Sequence, residues 1–393
     1  MEQERIALAA AVFFPMAAGI VSYIIGKKSK KLRDRAVSLT AIAEFILTAV
    51  IALQYGAAGG SFTIPGACGF GLHFTADGFR TLYGAIAAFM WMMTSLFSEE
   101  YFAHYRNRNR YYLFQLVTLG ATEAVFLSAD LYTTFIFFEV MSLASYVWVA
   151  QDERKESLRA AATYLAVAVI GGLVMLMGLF LLYQQAGTLT IRELYDACRG
   201  KNVYPAALCL FFGFGAKAGA FPLHIWLPKA HPVAPAPASA LLSGILTKTG
   251  IFGILVISCQ ILFHDGVWGT FVLLTGVLTM AAGAVLLLLP SGGRDSPGEE
   301  PPAQEEGAAF DLEAFEKKLE RTLSQIEGAG EAQVVLTLDG GSRQVLARNQ
   351  DRDGEGGGAN TVVTVGKGSG KQDVVPLQTV APEFRGALVV CPG

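Results

Sequence analysis

Charged residues are scarce in this chain of 393 residues. They make up 16% of it, whereas hydrophobic residues make up 53% and the mean hydropathy is +0.44. Typical soluble domains are about 25% charged, so this composition excludes an ordinary soluble protein. The few charges are also unevenly placed. Residues 290–393 hold 10 Lys and Arg against 17 Asp and Glu, which leaves 20 against 16 for residues 1–289. A basic membrane part is joined to an acidic soluble part.

The motifs of chemical catalysis are also missing. The five cysteines show no CxxC or Cys/His spacing, so they indicate neither a metal site nor a disulfide framework. No Gly-rich nucleotide loop opens a helix, and GKGSGK at 366–371 lacks the GxxxxGK[ST] pattern. We therefore predict no cofactor, no metal, no nucleic-acid partner and no catalysis by the chain alone.

Apolar segments long enough to cross a bilayer recur throughout residues 1–289. The N-terminus lacks a basic region ahead of its apolar stretch, which indicates a first span rather than a removable signal. We predict an all-α bundle of about nine spans, at approximately 6–26, 36–55, 80–98, 111–129, 131–150, 160–184, 203–226, 237–262 and 267–289.

Basic residues concentrate in the loops that follow the first, third and fifth predicted spans. These loops read KKSKKLRDR, HYRNRNR and QDERKESLR, whereas the alternate loops hold few Lys or Arg. Because short cytoplasmic loops carry the excess of basic residues, the pattern predicts an N-terminus outside and a ninth span that ends in the cytoplasm. The chain is expected to be a multi-pass protein of a bacterial plasma membrane.

The segment from Lys217 to Gly253 combines intramembrane charge with a run of prolines and glycines that break a helix. Lys217 and Lys248 stand in apolar sequence, and Glu139 lies near the middle of the fifth span. Non-helical backbone at membrane depth must be enclosed by protein or line a water-filled cavity. Ionisable groups buried at that depth are typical of ion pathways. We predict a proton relay of Glu139, Lys217 and Lys248. The alternative is a buried ion pair that only fixes helix packing.

Three further residues are candidates for the same path. Glu123 lies about seven residues from the end of its span, where it either joins the relay or points into an outer vestibule. His224 and His231 flank the helix break. Histidine can pass protons near neutral pH, although hydrogen-bonded packing is the commoner role of such residues.

The remainder of the chain divides into a linker and a small domain. Residues 290–309 are rich in Pro, Gly and Glu and are predicted to be the linker. Residues 310–393 are predicted to form an α+β domain, with a helix that carries apolar residues at helical spacing from Leu312 to Ile326. Strands follow from residue 331 onward, the first two around the turn Asp339–Gly341.

The membrane part resembles a known family on two motifs. FPLHIWLPKAHPVAPAPASALLSGILTKTGIF and FFEVMSLASYVW are similar to sequences of the antiporter-like subunits of respiratory complex I, membrane-bound hydrogenases and multisubunit cation/proton antiporters. The resemblance covers about residues 1–285. It implies a Glu139–Lys217 pair, a central Lys248 and partner subunits in a redox-driven or antiporter complex. The family carries two inverted repeats, and the second is missing here.

Residues 280–393 resemble stage III sporulation protein AG, on KKLERTLSQIEGAGEAQVVLTLDGGSRQVLA and PEFRGALVV. This resemblance implies a ring-building domain that self-associates, in an endospore-forming bacterium, and here it lacks its closing elements. The two resemblances place residues 310–393 on opposite sides of the membrane, which suggests a chimeric or mis-joined reading frame. The alternatives to ion translocation are therefore a membrane-anchored ring component and a non-functional truncated fusion.

Overall fold

The protein is described by a computed structural model that divides into two compact units, Met1–Pro290 and Ser291–Gly393. The first unit is a helical bundle and the second carries β-strands. The structure describes residues 2–103, 105, 107–288, 317, 320, 333–338, 343–346, 348–350, 360–362, 364–367, 371–374, 376–380 and 384–390.

The bundle contains long helices and several short ones. Its helices are α1 Glu2–Gly26, α2 Lys30–Tyr55, α3 Gly78–Tyr101, α4 Arg108–Leu127, α5 Leu131–Val149, α6 Lys155–Ala186, α7 Leu194–Cys198, α8 Tyr204–Ala218, α9 Leu227–Ala230, α10 Ala236–Leu241, α11 Thr247–Val256 and α12 Gly266–Leu288. The helix starts follow local capping chemistry, since Ser29, Asp77 and Asp130 each accept a hydrogen bond from a backbone N–H of the helix that follows.

In the described part of the chain, eight helical segments are long and apolar enough to cross a membrane. The additional predicted span, at 111–129, corresponds to α4. This helix is not among the eight, since it contains Arg, Asn, Gln, Thr and Glu side chains. Fourteen of its 20 residues are buried, and it packs against α1, α3 and α5. A helix enclosed by other helices faces protein rather than lipid, so its surface does not have to be apolar.

Two loops on the bundle contain structure of their own. Between α2 and α3, strands β1 Gly60–Ile64 and β2 Leu72–Ala76 form an antiparallel hairpin, although the sequence indicated only a loop there. The connection before α8 holds a 3₁₀ turn, Ile191–Glu193, followed by α7.

The broken segment is confirmed. Helix α8 ends at Ala218 and is followed by Gly219, whose φ of 75° is the left-handed conformation that glycine adopts without strain. The chain then passes through a 3₁₀ turn at Leu223–Trp226, then α9 and α10. Next comes a π-helical stretch at Leu242–Leu246, which leads into α11. The indole N–H of Trp226 donates to the Ala216 carbonyl at 2.8 Å and so closes the end of α8.

The second unit contains β3 Gln333–Leu338, β4 Arg343–Leu346, β5 Arg348–Gln350, β6 Asn360–Val362, β7 Thr364–Lys367, β8 Lys371–Val374, β9 Pro376–Val380 and β10 Phe384–Val390. All of the pairs are antiparallel: β3 with β10, β4 with β9, β5 with β6 and β7 with β8. The two strands predicted around Asp339–Gly341 therefore pair with distant partners rather than with each other. Of the predicted helix, Lys317 and Glu320 are helical, and the rest lies outside the described residues.

Candidate functional site

Lys217 lies in the last turn of α8, and its side chain is enclosed by the bundle. The residue is 3% exposed. Its Nζ donates to Ser142 Oγ on α5 at 3.0 Å and to Tyr164 OH on α6 at 2.6 Å. Three helices therefore meet at one ammonium group, and the acceptors that hold it are neutral hydroxyls.

The hydroxyls around Lys217 continue as a hydrogen-bonded chain. Because Tyr164 OH accepts from the lysine, its own proton is free to bond Ser145 Oγ, 2.6 Å away. Ser145 Oγ in turn donates to the Met141 carbonyl at 2.7 Å. This arrangement gives the chain a direction, from the ammonium through two hydroxyls to a backbone carbonyl.

Glu139 lies on the same face of α5, one turn before Ser142. Residues three apart on a helix share a face and are separated by about 4.5 Å along its axis. The carboxylate approaches Gly172 of α6 so closely that an added Cβ there would clash with Oε1. Glu139 Oε1 is buried and lacks a hydrogen-bond partner. The glycine thus makes room for a carboxyl group that is not held in place.

The structure brings Glu139 and Lys217 to one site but does not join them. Of the ion pairs within 4.0 Å in the described ranges, none includes either residue. A cavity of about 10 Å³ lies against Lys217, bordered by Ser142, Tyr164 and Trp226. A volume of this size holds about one water molecule.

Lys248 occupies a different environment from Lys217. It is exposed on the bundle surface, and its Nζ donates to the Ser243 carbonyl at 2.6 Å. The π-helical turn at Leu242–Leu246 supplies that carbonyl, which also accepts from Thr247 Oγ1 at 2.8 Å. Single π-turns recur at functional sites because they free backbone groups from the helical ladder.

The other three candidates lie outside the Lys217 network. Glu123 is fully buried on α4, and both of its carboxylate oxygens lack a hydrogen-bond partner. His224 stacks on Phe221 with ring centroids 5.6 Å apart, and its buried Nδ1 has no partner. His231 Nδ1 bonds Ser239 Oγ at 2.7 Å across the break.

Sequence reasoning missed the groups that hold the lysine. Ser142 and Ser145 follow Glu139 at intervals of three, so the polar stripe on α5 was visible as a spacing. Tyr164 has no comparable signal, because an aromatic residue in an apolar span is ordinary. Glu44 on α2 was also missed, although it is fully buried and both of its oxygens lack a hydrogen-bond partner.

Comparison with known proteins confirms both resemblances. Residues 128–289 match the transmembrane family of the NADH:quinone oxidoreductase and Mrp antiporter, and residues 312–393 match the SpoIIIAG C-terminal domain. Residues 128–289 are therefore homologous to the transmembrane region of Mrp-type antiporter subunits and hydrogenase-4 component B, and residues 312–393 are homologous to the SpoIIIAG C-terminal domain.

Two curated relatives illustrate the match. Hydrogenase-4 component B of Escherichia coli is 34% identical over 201 residues, which is 50% of this chain and 29% of that protein. A Na(+)/H(+) antiporter subunit of Alkalihalophilus pseudofirmus is 31% identical over 223 residues, which is 55% of this chain and 45% of that protein. The chain thus spans less than half the length of either relative.

Two solved structures share the fold. A chain of the membrane-bound sulfane sulfur reductase, an archaeal respiratory membrane complex, has a TM-score of 0.60 and 20% identity, covering 68% of this chain and 56% of its own. A chain of the Mrp complex from a Dietzia species has a TM-score of 0.59 and 23% identity, and the match covers 66% of the present chain and 49% of the Dietzia chain. Both structures are multisubunit membrane complexes.

Proposed function

We propose that the membrane unit translocates protons, or another monovalent cation exchanged for them, as one subunit of a redox-driven or antiporter complex. The observation that carries this proposal is Lys217, an ammonium group that is 3% exposed and is held by two neutral hydroxyls. A buried charge without a counter-ion is destabilised relative to its neutral form. Lys217 is therefore a group that can give up a proton and regain it.

Glu139 controls this exchange in the proposed mechanism. When its carboxylate moves toward Lys217, the ammonium form is stabilised and the lysine takes up a proton. When the pair opens, Nζ loses one proton and remains as the neutral amine. The open geometry described above is the arrangement from which the ammonium releases its proton, and the small cavity beside Nζ can hold the water molecule that takes it up.

Lys248 is the next proton-carrying residue of the proposed relay. Its Nζ is exposed and bonds the Ser243 carbonyl rather than any carboxylate. A lysine in this position is accessible to a group outside the described bundle, such as another subunit. We also propose that the N-terminus lies outside the cell, because loops rich in Lys and Arg are expected in the cytoplasm.

Proton flux tests this proposal. The chain is reconstituted with its native complex in liposomes, and Lys217→Ala and Glu139→Gln are each expected to abolish coupled flux while membrane insertion stays intact. Lys229→Ala is the matched control, because this lysine is exposed beside the break. Unchanged pumping by either site variant would contradict the proposal.

A second candidate function applies to residues 312–393. Their match to the SpoIIIAG C-terminal domain favours a membrane-anchored structural component that self-associates. Light scattering in detergent is expected to show that the full chain is a multimer. The chain cut after residue 290 is expected to form particles with fewer subunits. An unchanged subunit number would contradict self-association through this domain.

A further inference from the structure

Helix α12 contacts the bundle along one face. Trp268, Phe271, Thr275 and Thr279 recur on that face at intervals of three and four residues, which is the spacing of one side of a helix. Trp268 is buried, and Phe271 packs on Phe211 of α8 with ring centroids 4.9 Å apart. The apolar side chains on its other sides are exposed, among them Leu273, Val277 and Met280. The two threonines therefore lie on the side that faces α8.

The broken segment after α8 uses one of these threonines as a hydrogen-bond acceptor. The N–H of Ala220 still bonds back to α8, at the Gly215 carbonyl 2.9 Å away. The next N–H, of Phe221, instead donates to Thr279 Oγ1 at 3.0 Å. Because a backbone N–H at membrane depth needs a partner, Thr279 supplies the acceptor that the end of α8 no longer provides.

Thr275, one turn earlier, makes the ordinary contact of a threonine within a helix. Its Oγ1 donates to the Phe271 carbonyl at 2.9 Å, and Thr279 Oγ1 likewise donates to the Thr275 carbonyl at 2.7 Å. Within the described ranges, the Thr275 hydroxyl has no hydrogen bond to another helix, whereas the Thr279 hydroxyl also accepts from Phe221. The two threonines thus differ in the contact with the broken segment.

The other end of the broken segment folds onto the Lys217 site. The indole of Trp226 donates to the Ala216 carbonyl and packs edge-on against Tyr164, with ring centroids 4.9 Å apart. Trp226 also borders the small cavity beside Lys217. The segment is therefore fastened at two points, at Phe221 by α12 and at Trp226 by α8. A displacement at Phe221 would be passed along a short segment to the tryptophan that packs on Tyr164.

We propose that Thr279 is a positioning residue for proton exchange at Lys217. Its hydroxyl holds the Phe221 end of the broken segment, so that Trp226 stays against Tyr164, the hydroxyl acceptor of the lysine. This role rests on the proposed function of Lys217. It also gives a task to α12, a helix that contains no charged residue and that contributes no group to the lysine network.

Amide hydrogen exchange of the assembled complex in lipid tests the contact itself. Thr279→Val keeps the branched shape but removes the acceptor, so the Phe221 amide should exchange roughly tenfold faster than in the wild type. Thr279→Ala should do the same, and Thr279→Ser should restore slow exchange. Thr275→Val is the matched control and should exchange at the wild-type rate. Unchanged exchange in both Thr279→Val and Thr279→Ala would overturn the proposal.

Proton flux through the same liposomes tests the positioning role. Thr279→Val should lower coupled flux by roughly tenfold with insertion intact, because Trp226 and Tyr164 lose their alignment with Lys217. Thr279→Ser should recover the flux, and Thr275→Val should match the wild type. Faster Phe221 exchange with wild-type flux in Thr279→Val would overturn the positioning role. Wild-type flux in Lys217→Ala would instead contradict the proposed function, and the exchange measurement does not depend on that result.

Discussion

The hydroxyl of Tyr164 lies 2.6 Å from the Nζ of Lys217 and accepts a hydrogen bond from it. The same hydroxyl lies 2.6 Å from Ser145, so the tyrosine stands between the lysine and the hydrogen-bond chain on α5. A buried ammonium that bonds a hydroxyl is less strongly held than one that bonds a carboxylate. This contact is the basis of the proposed proton exchange.

Replacing Tyr164 with phenylalanine removes that contact while keeping the ring against Trp226. The change leaves a buried ammonium with one acceptor fewer, which should lower the free energy of unfolding by about 1–3 kcal/mol. Proton flux should fall by roughly tenfold or more, the equivalent of about 1.4 kcal/mol in barrier height. Thermal unfolding and liposome flux measure the two effects. Tyr183→Phe on the same helix is the control, since Tyr183 is 46% exposed.

A methyl group at position 172 should displace Glu139 without unfolding the bundle. The Cβ of Gly172→Ala would clash with Glu139 Oε1, and the far end of a flexible side chain can move away. Flux should fall by roughly tenfold because the carboxyl loses its resting position. Gly276→Ala, which meets no atom within 4 Å, should behave as the wild type. Equal flux in both variants would show that Glu139 does not act from beside Gly172.

Acid should loosen the start of α12. Asp265 precedes this helix, accepting from Tyr204 and from the Trp268 backbone N–H at 2.9 Å. The Tyr204 hydrogen bond, with the Trp268 one, lowers the pKa of Asp265 below its ordinary value. A lowered folded pKa stabilises the fold above the unfolded value of about 3.9, and that stabilisation disappears as pH falls through the folded pKa.

The substitution Asp265→Asn tests this contribution. The variant should unfold at a lower temperature than the wild type at neutral pH, and the difference should shrink in acid as the wild-type carboxyl becomes protonated. Circular dichroism measures the unfolding temperature of both proteins at each pH. A difference that stays constant from neutral pH into the acid range would contradict the assigned role of the carboxylate.

Sequence patterns predicted the broken segment because proline and glycine act locally, as at Gly219. They also placed Glu139 and Lys217 in spans, since charge in an apolar run is conspicuous. They could not show that Tyr164 links Lys217 to Ser145, nor that Ser142 accepts a hydrogen bond from the lysine. Those relationships depend on how helices rotate against one another. Strand pairing is also set by long-range packing, so the order of strands along the chain did not reveal that β3 pairs with β10.

The central claim is that Lys217 must release a proton, and Lys217→Arg tests it most directly. Arginine keeps the positive charge and can donate to Ser142 and Tyr164, but it does not deprotonate in proteins. The measurement is proton flux through liposomes that contain the assembled complex, with insertion and thermal midpoint recorded alongside. We predict that the variant inserts and folds but carries no coupled flux. Wild-type flux in the arginine variant would contradict the account and leave Lys217 as a fixed structural charge.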